Sequence, residues 1–226
     1  MRFVLPNSIP CESTTWHRLR SLVGQDALRL ISEEAFHQVV LAYSEPWRQY
    51  HTLDHITSLL QALRSLRDLN LSADEMTALR LAILYHDVVY KIGRSSPGFN
   101  EISSALQAQN DISFRRGSQD YEIIRIVIES IEATIDHRLT LVHQHRQKVA
   151  ALMIDLDLAG LGDTPGKFDR ASELVWLEHQ PVYTRDEFDA GRSKWAAGFL
   201  ARDKIFQTEY FQHLEARARA NLERLV

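Results

Sequence analysis

The sequence is poor in cysteine, in net charge and in long apolar runs. Cys11 is the single cysteine among 226 residues, so no disulfide can form within the chain and a reducing compartment is expected. The formal net charge is -4, which leaves no broad basic footprint for a nucleic-acid polymer. The N-terminal apolar run is broken at Pro6 and is too short for a signal-peptide core. No uncharged stretch is long enough to cross a bilayer, so we expect a cytoplasmic protein without a membrane partner.

Apolar residues recur at helical spacing along nearly the whole chain, and convincing strand alternation is missing. After His55 the stripe continues through Leu59, Leu63 and Leu66, the pattern of a helix with one buried face. There is no internal repeat and no linker that divides the chain. The pattern predicts an all-α single domain, residues 1–226, of about nine helices.

Helix boundaries follow from the capping residues and from segment length. Ser72 stands three residues before Glu75, the spacing of a capping box, and Ser32 and Asn100 are expected to cap the helices that follow them. Residues 119–137 are rich in Ile and Val, which would also suit a strand, but the length of the segment favours a helix. We expect the first 47 residues to be an N-terminal helical extension and residues 165–226 to be a C-terminal helical cover.

Imidazole and carboxylate groups interrupt stripes that are otherwise apolar. His55 shares the stripe of Leu59, and His86 follows Ile83 with Asp87 directly after it. A single histidine on such a face is most often a hydrogen-bonded core residue, and this interpretation stays open. A buried carboxylate needs an arginine, a lysine or a metal ion, because an unpaired buried charge is costly. Imidazole together with carboxylate suits Zn, Mn, Fe or Co, or Mg where oxygen ligands dominate.

Five short stretches between about residue 48 and the C-terminus carry a family resemblance. They read, in order, YHTLDHI, YHDVVY, NEISSA, DLDLAGLG and EARARANL. They resemble the motifs YHxxxHI, YHDxVY, NExxSA, DxDLxxLG and ExxARxNL of a bacterial subfamily in the HD-domain superfamily of metal-dependent phosphohydrolases. The resemblance implies an HD-type helical bundle around a divalent metal ion (Mn, Mg, Zn, Co or Fe). It also implies four ligands: an upstream His, a His-Asp doublet and a distant Asp.

By this resemblance His55, His86 and Asp87 bind the metal, and the distant ligand is Asp155 or Asp157. Helical geometry, at roughly 100° per residue, places Asp157 nearer the centre of the buried face. The Asp-Leu pair that begins at Asp157 also resembles the ADL motif of cyclic-nucleotide phosphodiesterases. We predict Asp157 as the ligand, with Asp155 either supporting a ligand or lying on the helix surface.

His51 resembles the first histidine of the YHNxxHA motif of the same phosphodiesterases. In that motif the second histidine binds metal and the first protonates the leaving oxygen, which implies that His51 is the general acid. Thr52 stands where the motif has Asn. An imidazole without a metal can donate a proton near neutral pH. A surface position at the start of a helix is the alternative for His51.

Other polar residues have candidate roles at the same site. The resemblance implies that His137 could join a second metal, bind a substrate phosphate or lie on the surface. Glu101 could orient the attacking water or hold a ligand histidine, or it could be an ordinary first-turn Glu favoured by the helix dipole. Arg185, Arg192 and Lys194 form a basic cluster that could meet phosphates, although such a cluster is more often a solvated face.

These assignments predict hydrolysis of a phosphoester in a small phosphorylated metabolite or nucleotide by metal-activated water. The catalytic residues would be His51, Asp87 and Glu101. One alternative is an HD-fold oxygenase with two irons, which needs more ligands and therefore His137. Another is a non-catalytic ligand-binding module with a closed structural metal site. A second copy of the chain could pair through helical faces that the core does not use.

Overall fold

The fold is entirely helical in the residues that the structure, a computed structural model, describes: 14–93, 96–113 and 120–226. Eleven α-helices and no strand occur in this part of the chain, so the all-α prediction is confirmed, and one of the additional helices is a single four-residue turn. The helices are α1 (Thr14–Val23), α2 (Gln25–Leu28), α3 (Glu33–Ala42), α4 (Leu53–Ser65), α5 (Ala73–Tyr85), α6 (Phe99–Ser113), α7 (Tyr121–Glu132), α8 (Gln147–Leu158), α9 (Pro165–His179), α10 (Arg185–Leu200) and α11 (Glu215–Glu223).

Helix α5 lies at the centre of the core. It contacts α1, α2, α4, α6, α7 and α8, and its last five residues, Leu81 through Tyr85, are all fully buried. A helix that is apolar on all sides can be stable only inside a protein. Because α5 ends in the interior, the His-Asp doublet that follows it is placed there as well.

The remaining helices cover this core from two sides. On one side α1 packs on α4 and α5, and α2 packs on α5. On the other, α11 contacts α10 and a short 3-10 helix, Ala159–Gly162, that continues α8. A Cβ atom at Gly162 would collide with the side chain of Leu214, so this close approach requires glycine. Within the described ranges no helix combines the length and apolar character needed to cross a bilayer.

The predicted caps of α3 and α5 are confirmed. The Ser32 side chain accepts a hydrogen bond from a backbone N–H of α3, and Ser72 and Glu75 form the reciprocal capping box of α5. The Ile-rich segment forms α7 over Tyr121–Glu132. The prediction of a helix rather than a strand, made from the length of the segment, is therefore confirmed.

Asn100 does not cap a helix, and that prediction is wrong. Helix α6 already begins at Phe99, and the Asn100 side chain is bound to the backbone of Lys91 instead. Its oxygen accepts from the Lys91 N–H at 2.9 Å, and its amide nitrogen donates to the Lys91 carbonyl at 3.2 Å. Asn100 therefore fixes the segment that follows the His-Asp doublet against the start of α6.

Candidate functional site

His55, His86 and Asp157 converge from three different helices. His55 lies in the first turn of α4, His86 is the C-cap of α5, and Asp157 lies in the last turn of α8. The Nε2 atoms of the two histidines are 3.3 Å apart. The Oδ1 atom of Asp157 is 3.6 Å from Nε2 of His55 and 3.5 Å from Nε2 of His86. Since one ligand atom of each residue lies within 4.8 Å of the others, these three residues could hold a metal ion. They are called the metal group below.

The orientation of His86 suits a metal ligand. Its Nδ1 atom is 3.0 Å from the carbonyl oxygen of Ile83, and a carbonyl only accepts, so Nδ1 carries the hydrogen. The lone pair of a neutral His86 then lies on Nε2, which faces carboxylate oxygens and the other imidazole. Such a group of acceptors needs a proton or a cation between its members. A ring N–H donated to a backbone carbonyl is also the usual support for a metal-bound histidine.

Asp87 lies beside this group, in the turn after α5 rather than on the helix. Its Oδ2 atom is 3.0 Å from Nε2 of His86 and 4.0 Å from Nε2 of His55. Burial raises the pKa of the Asp87 carboxyl, but the charges of His86 and His51 lower it more, so the net shift is downward. Asp87 therefore remains a carboxylate that faces both imidazoles.

The histidines and carboxylates of the site shift one another's pKa values. Burial lowers the pKa of His55. Burial also lowers the pKa of His86, but Asp87 and Asp157 raise it more, and the net pKa lies well above its ordinary value. Burial raises the pKa of Asp157, while hydrogen bonds from His137, His55 and His86 lower it well below the ordinary value. The carboxylates thus attract positive charge to the space beside the Nε2 atoms of His55 and His86.

His51 does not share a helical face with His55, because it lies in the bend before α4. Its Nδ1 atom is 2.7 Å from Oε2 of Glu178 in α9. The other oxygen of Glu178 accepts backbone N–H groups from three consecutive residues, 49 to 51, at 2.8, 2.8 and 2.9 Å. Burial raises the pKa of Glu178, but the hydrogen bonds from His51 and the backbone lower it to about 2 overall.

The ionised Glu178 determines which ring nitrogen of His51 is available. A carboxylate only accepts, so Nδ1 of His51 carries the hydrogen and donates it to Glu178. The Nε2 atom then faces the metal group, 3.9 Å from Oδ2 of Asp87. The ring stacks on Tyr90 with a centroid distance of 4.0 Å. His51 is therefore held in one tautomer and one orientation beside the group that could hold a metal.

Sequence reasoning missed Glu178 completely. Its side chain is fully buried in the structure, yet in the sequence it resembles an ordinary acidic residue near the end of an amphipathic helix. The backbone groups that it binds lie in a bend more than a hundred residues earlier in the chain. No local pattern marks such a contact.

Arg48 fixes the bend before α4 against the His-Asp doublet. The guanidinium group donates to the carbonyl oxygens of Asp87 at 2.7 Å, Val88 at 3.0 Å and His51 at 3.3 Å. It also pairs with Glu45, and its side chain is only 1% exposed. One buried cation thus joins the two segments that carry the first histidine and the doublet.

Replacing Arg48 with methionine is expected to lower the free energy of unfolding by about 3 to 5 kcal/mol, because several buried carbonyl groups lose a charged donor. Urea denaturation in the presence of EDTA measures this change without a contribution from bound metal. The matched control is Arg29→Met, since Arg29 is 76% exposed and should change stability by less than about 0.5 kcal/mol. Equal stability of the two variants would contradict the role of Arg48.

His137 lies in a turn beyond the end of α7, not on the helix as predicted. Its backbone has a left-handed φ of 52°, and Arg202 donates to its carbonyl oxygen at 3.0 Å. Its Nε2 atom is 3.0 Å from Oδ2 of Asp157. Asp157 therefore directs one oxygen towards His55 and His86 and the other towards His137.

Asp155 lies two residues before Asp157 but has a different role. It is completely buried, so the surface alternative is wrong. Its carboxylate accepts from the backbone N–H groups of Gln207 at 2.6 Å and Thr208 at 2.7 Å, and from the Thr208 hydroxyl at 2.6 Å. Asp155 thus anchors the segment between α10 and α11 and does not face the metal group.

Glu101 lies in the first turn of α6, near the same group. Burial and the charge of Asp87 raise the pKa of the Glu101 carboxyl. A backbone hydrogen bond and the charge of His137 lower it, and the net shift is upward. No hydrogen bond between Glu101 and a histidine of the site occurs among the described residues. Its predicted part in orienting water stays a prediction.

A cavity of about 600 Å³ adjoins the metal group. His51, His137 and Asp157 line it together with residues of α9 and α10, including Phe168, Val175, Phe188, Arg192 and Trp195. Ligand pockets commonly have this size and a largely apolar wall. The metal group is therefore accessible from a space that a small molecule can occupy.

No protein-family model matches the chain, and no curated protein matches it.

Proposed function

We propose that this protein is a metal-dependent phosphohydrolase that acts on a small phosphorylated metabolite or nucleotide. The observation that carries the proposal is the meeting of two features at the cavity. One is the group of His55, His86 and Asp157, and the other is His51, oriented by a buried carboxylate. The order of the HD-type sequence motifs supports the same function.

The donor set fits a divalent metal of the Mn, Fe, Co or Zn type, or Mg if oxygen ligands and water dominate. His55, His86 and Asp157 would hold it, with Asp87 as a fourth ligand from the turn beside them. When bound, such an ion polarises a phosphoryl oxygen and lowers the pKa of a water molecule. The two carboxylates also keep other anions away from the site until the ion neutralises them.

His51 would donate a proton from Nε2 to the leaving oxygen of the substrate, a step that starts from the ring with hydrogen on both nitrogens and leaves the neutral ring with hydrogen on Nδ1. Its Nδ1–H is committed to Glu178, so only Nε2 can take part in proton transfer on the side of the cavity. Holding the ring in one orientation avoids an entropic cost at each turnover. Glu178 acts here as a positioning residue, because it touches His51 and not the cavity end where the reaction would occur.

The two other functions considered from the sequence have weaker support. A structural metal site is closed, whereas Asp157 lines an open cavity. A di-iron oxygenase needs a second set of ligands, and the described residues bring only His137 within hydrogen-bonding distance of Oδ2 of Asp157. Metal analysis of protein purified without added metal separates the functions, because two irons per chain would favour the oxygenase.

The test is a screen of phosphorylated metabolites and nucleotides, with Mn and Mg added separately and phosphate release as the measurement. We expect release with at least one metal and none in EDTA. The variant Asp87→Ala should lose activity, because it removes a carboxylate that faces both imidazoles. Full activity of Asp87→Ala would refute the assignment, and a screen without any phosphate release would refute the proposed reaction.

A further inference from the structure

Arg192 is unusual among the arginines around the cavity because its charge is not compensated. It lines the wall formed by α9 and α10, and its Nε atom is buried without a hydrogen-bond partner. Over residues 14–93, 96–113 and 120–226 it has no ion-pair partner, and its guanidinium carbon lies 4.2 Å from the centroid of the Trp195 ring. Burial lowers the pKa of the guanidinium group, but an arginine in a protein stays protonated.

Neighbouring arginines show what a compensated guanidinium looks like in this protein. Arg185, about two helical turns earlier in α10, is paired with Glu173 and Asp189. Arg202 also has a buried Nε atom without a partner, but its two terminal nitrogens donate to the carbonyl oxygens of residues 136 and 137. Arg192 alone of these three combines an unsatisfied donor with a place on the cavity wall.

The carboxylates near Arg192 are already engaged. Glu187 also lines the cavity, and its carboxylate accepts from the backbone N–H and the hydroxyl group of Thr184 at the start of α10. Asp157 also lines the cavity, and its carboxylate lies beside histidines, 3.6 Å from Nε2 of His55 and 3.0 Å from Nε2 of His137. A guanidinium group holds its donors in one plane, which is the geometry that planar or tetrahedral oxyanions accept.

We propose that Arg192 binds an oxyanion of the substrate, a phosphate or a carboxylate group, while the apolar wall beside it contacts the organic part. This inference rests on the proposed function, since it assigns the substrate to the same cavity. It deepens that function by naming the substrate class: an anionic molecule with an apolar or aromatic body next to the charge. Phe168, Val175 and Phe188 would form the surface for that body.

The experiment measures the binding of phenylphosphonate, a phosphate analogue whose P–C bond resists hydrolysis, by calorimetry on the full chain. Benzoate tests a carboxylate, and benzamide serves as the neutral aromatic probe. Each titration is done once with Mn and once in EDTA. We expect Arg192→Gln to weaken phenylphosphonate binding about 10- to 100-fold in both conditions, the loss of a charge-assisted hydrogen bond. Benzamide binding should stay unchanged.

Lys194→Gln is the matched control, because it removes the same charge from an exposed position two residues away on α10. It should leave phenylphosphonate binding unchanged. Arg192→Lys keeps the charge but not the planar fork, so we expect it to restore only part of the affinity. Thermal unfolding of each variant shows whether the fold is intact, and Arg192→Lys provides the comparison if Arg192→Gln is unstable.

The outcomes separate this inference from the proposed function. If Arg192→Gln binds phenylphosphonate and benzoate as tightly as the original protein, or if the original protein binds neither, the inference fails. A phosphatase activity that needs Asp157 would still support the proposed function in that case. Conversely, Arg192-dependent binding without hydrolysis of any phosphoester would support the oxyanion site and refute the hydrolase. Preference for benzoate over phenylphosphonate would identify the oxyanion as a carboxylate.

Discussion

Replacing Asp157 with asparagine is expected to abolish stable metal binding. The substitution replaces one carboxylate oxygen with an NH2 group, so Asp157 can no longer direct one oxygen to His55 and His86, at 3.6 and 3.5 Å, and the other to His137. It also takes one negative charge from the group. Loss of a residue that merely supports a ligand costs about 10- to 100-fold in metal affinity, so loss of the ligand itself should exceed that range. Metal content after dialysis and titration with Mn or Zn measure the effect.

Asp155→Asn is the control for this experiment, because it makes the same chemical change two residues away on α8. Asp155 serves the backbone of Gln207 and Thr208, so its replacement should lower stability by about 1 to 3 kcal/mol. Metal affinity should not change. If Asp157→Asn retained metal as tightly as Asp155→Asn, the three-residue group would not be the metal site.

Replacing His51 with glutamine is expected to lower turnover about 100- to 10,000-fold, the usual contribution of a general acid. Metal content should not change, since His51 is not in the group of His55, His86 and Asp157. The loss should be large for alkyl phosphates, whose leaving oxygen needs a proton. It should be small for 4-nitrophenyl phosphate, whose leaving group departs as a stable anion. Turnover on both substrates measures the difference.

Glu178→Gln tests the positioning role within the same experiment. An amide opposite Nδ1 of His51 can accept from it or donate to it, so the variant no longer fixes the hydrogen on Nδ1 or the orientation of the ring. Turnover should therefore fall while metal content is kept. The double variant His51→Gln with Glu178→Gln should be no slower than His51→Gln alone, because the two residues act as one unit. Additive losses would show that Glu178 acts on something other than His51. An equal loss with alkyl and 4-nitrophenyl phosphates would exclude proton donation by His51.

The sequence was a good guide where structure depends on local patterns. Apolar spacing predicted the all-α fold, and the Ser72–Glu75 pair predicted the capping box of α5. The same kind of reasoning failed for Asn100 because the helix begins one residue earlier and the side chain finds backbone partners at Lys91. It also placed His137 on a helix, although this residue lies in the turn after α7.

The choice between Asp155 and Asp157 shows the limit of helical geometry. That argument assumes one buried face, but every residue of α8 from Val149 to Leu156 is buried. Both aspartates are therefore directed into the protein, and only their three-dimensional partners distinguish them. Glu178 belongs to the same class of problem, because its contacts with residues 49 to 51 join distant segments of the chain.

The hydrogen bond from the His51 backbone to Glu178 spans 127 residues of the chain, and this has a consequence for how the site is assembled. The contact between residues 55 and 157 joins α4 and α8 and includes no residue of α9, whereas the carboxylate that orients His51 lies in α9. We therefore expect a partly unfolded form, with α9 detached, that retains the ion yet cannot turn over substrate. Hydrogen exchange of the amides at residues 49 to 51 would report its population.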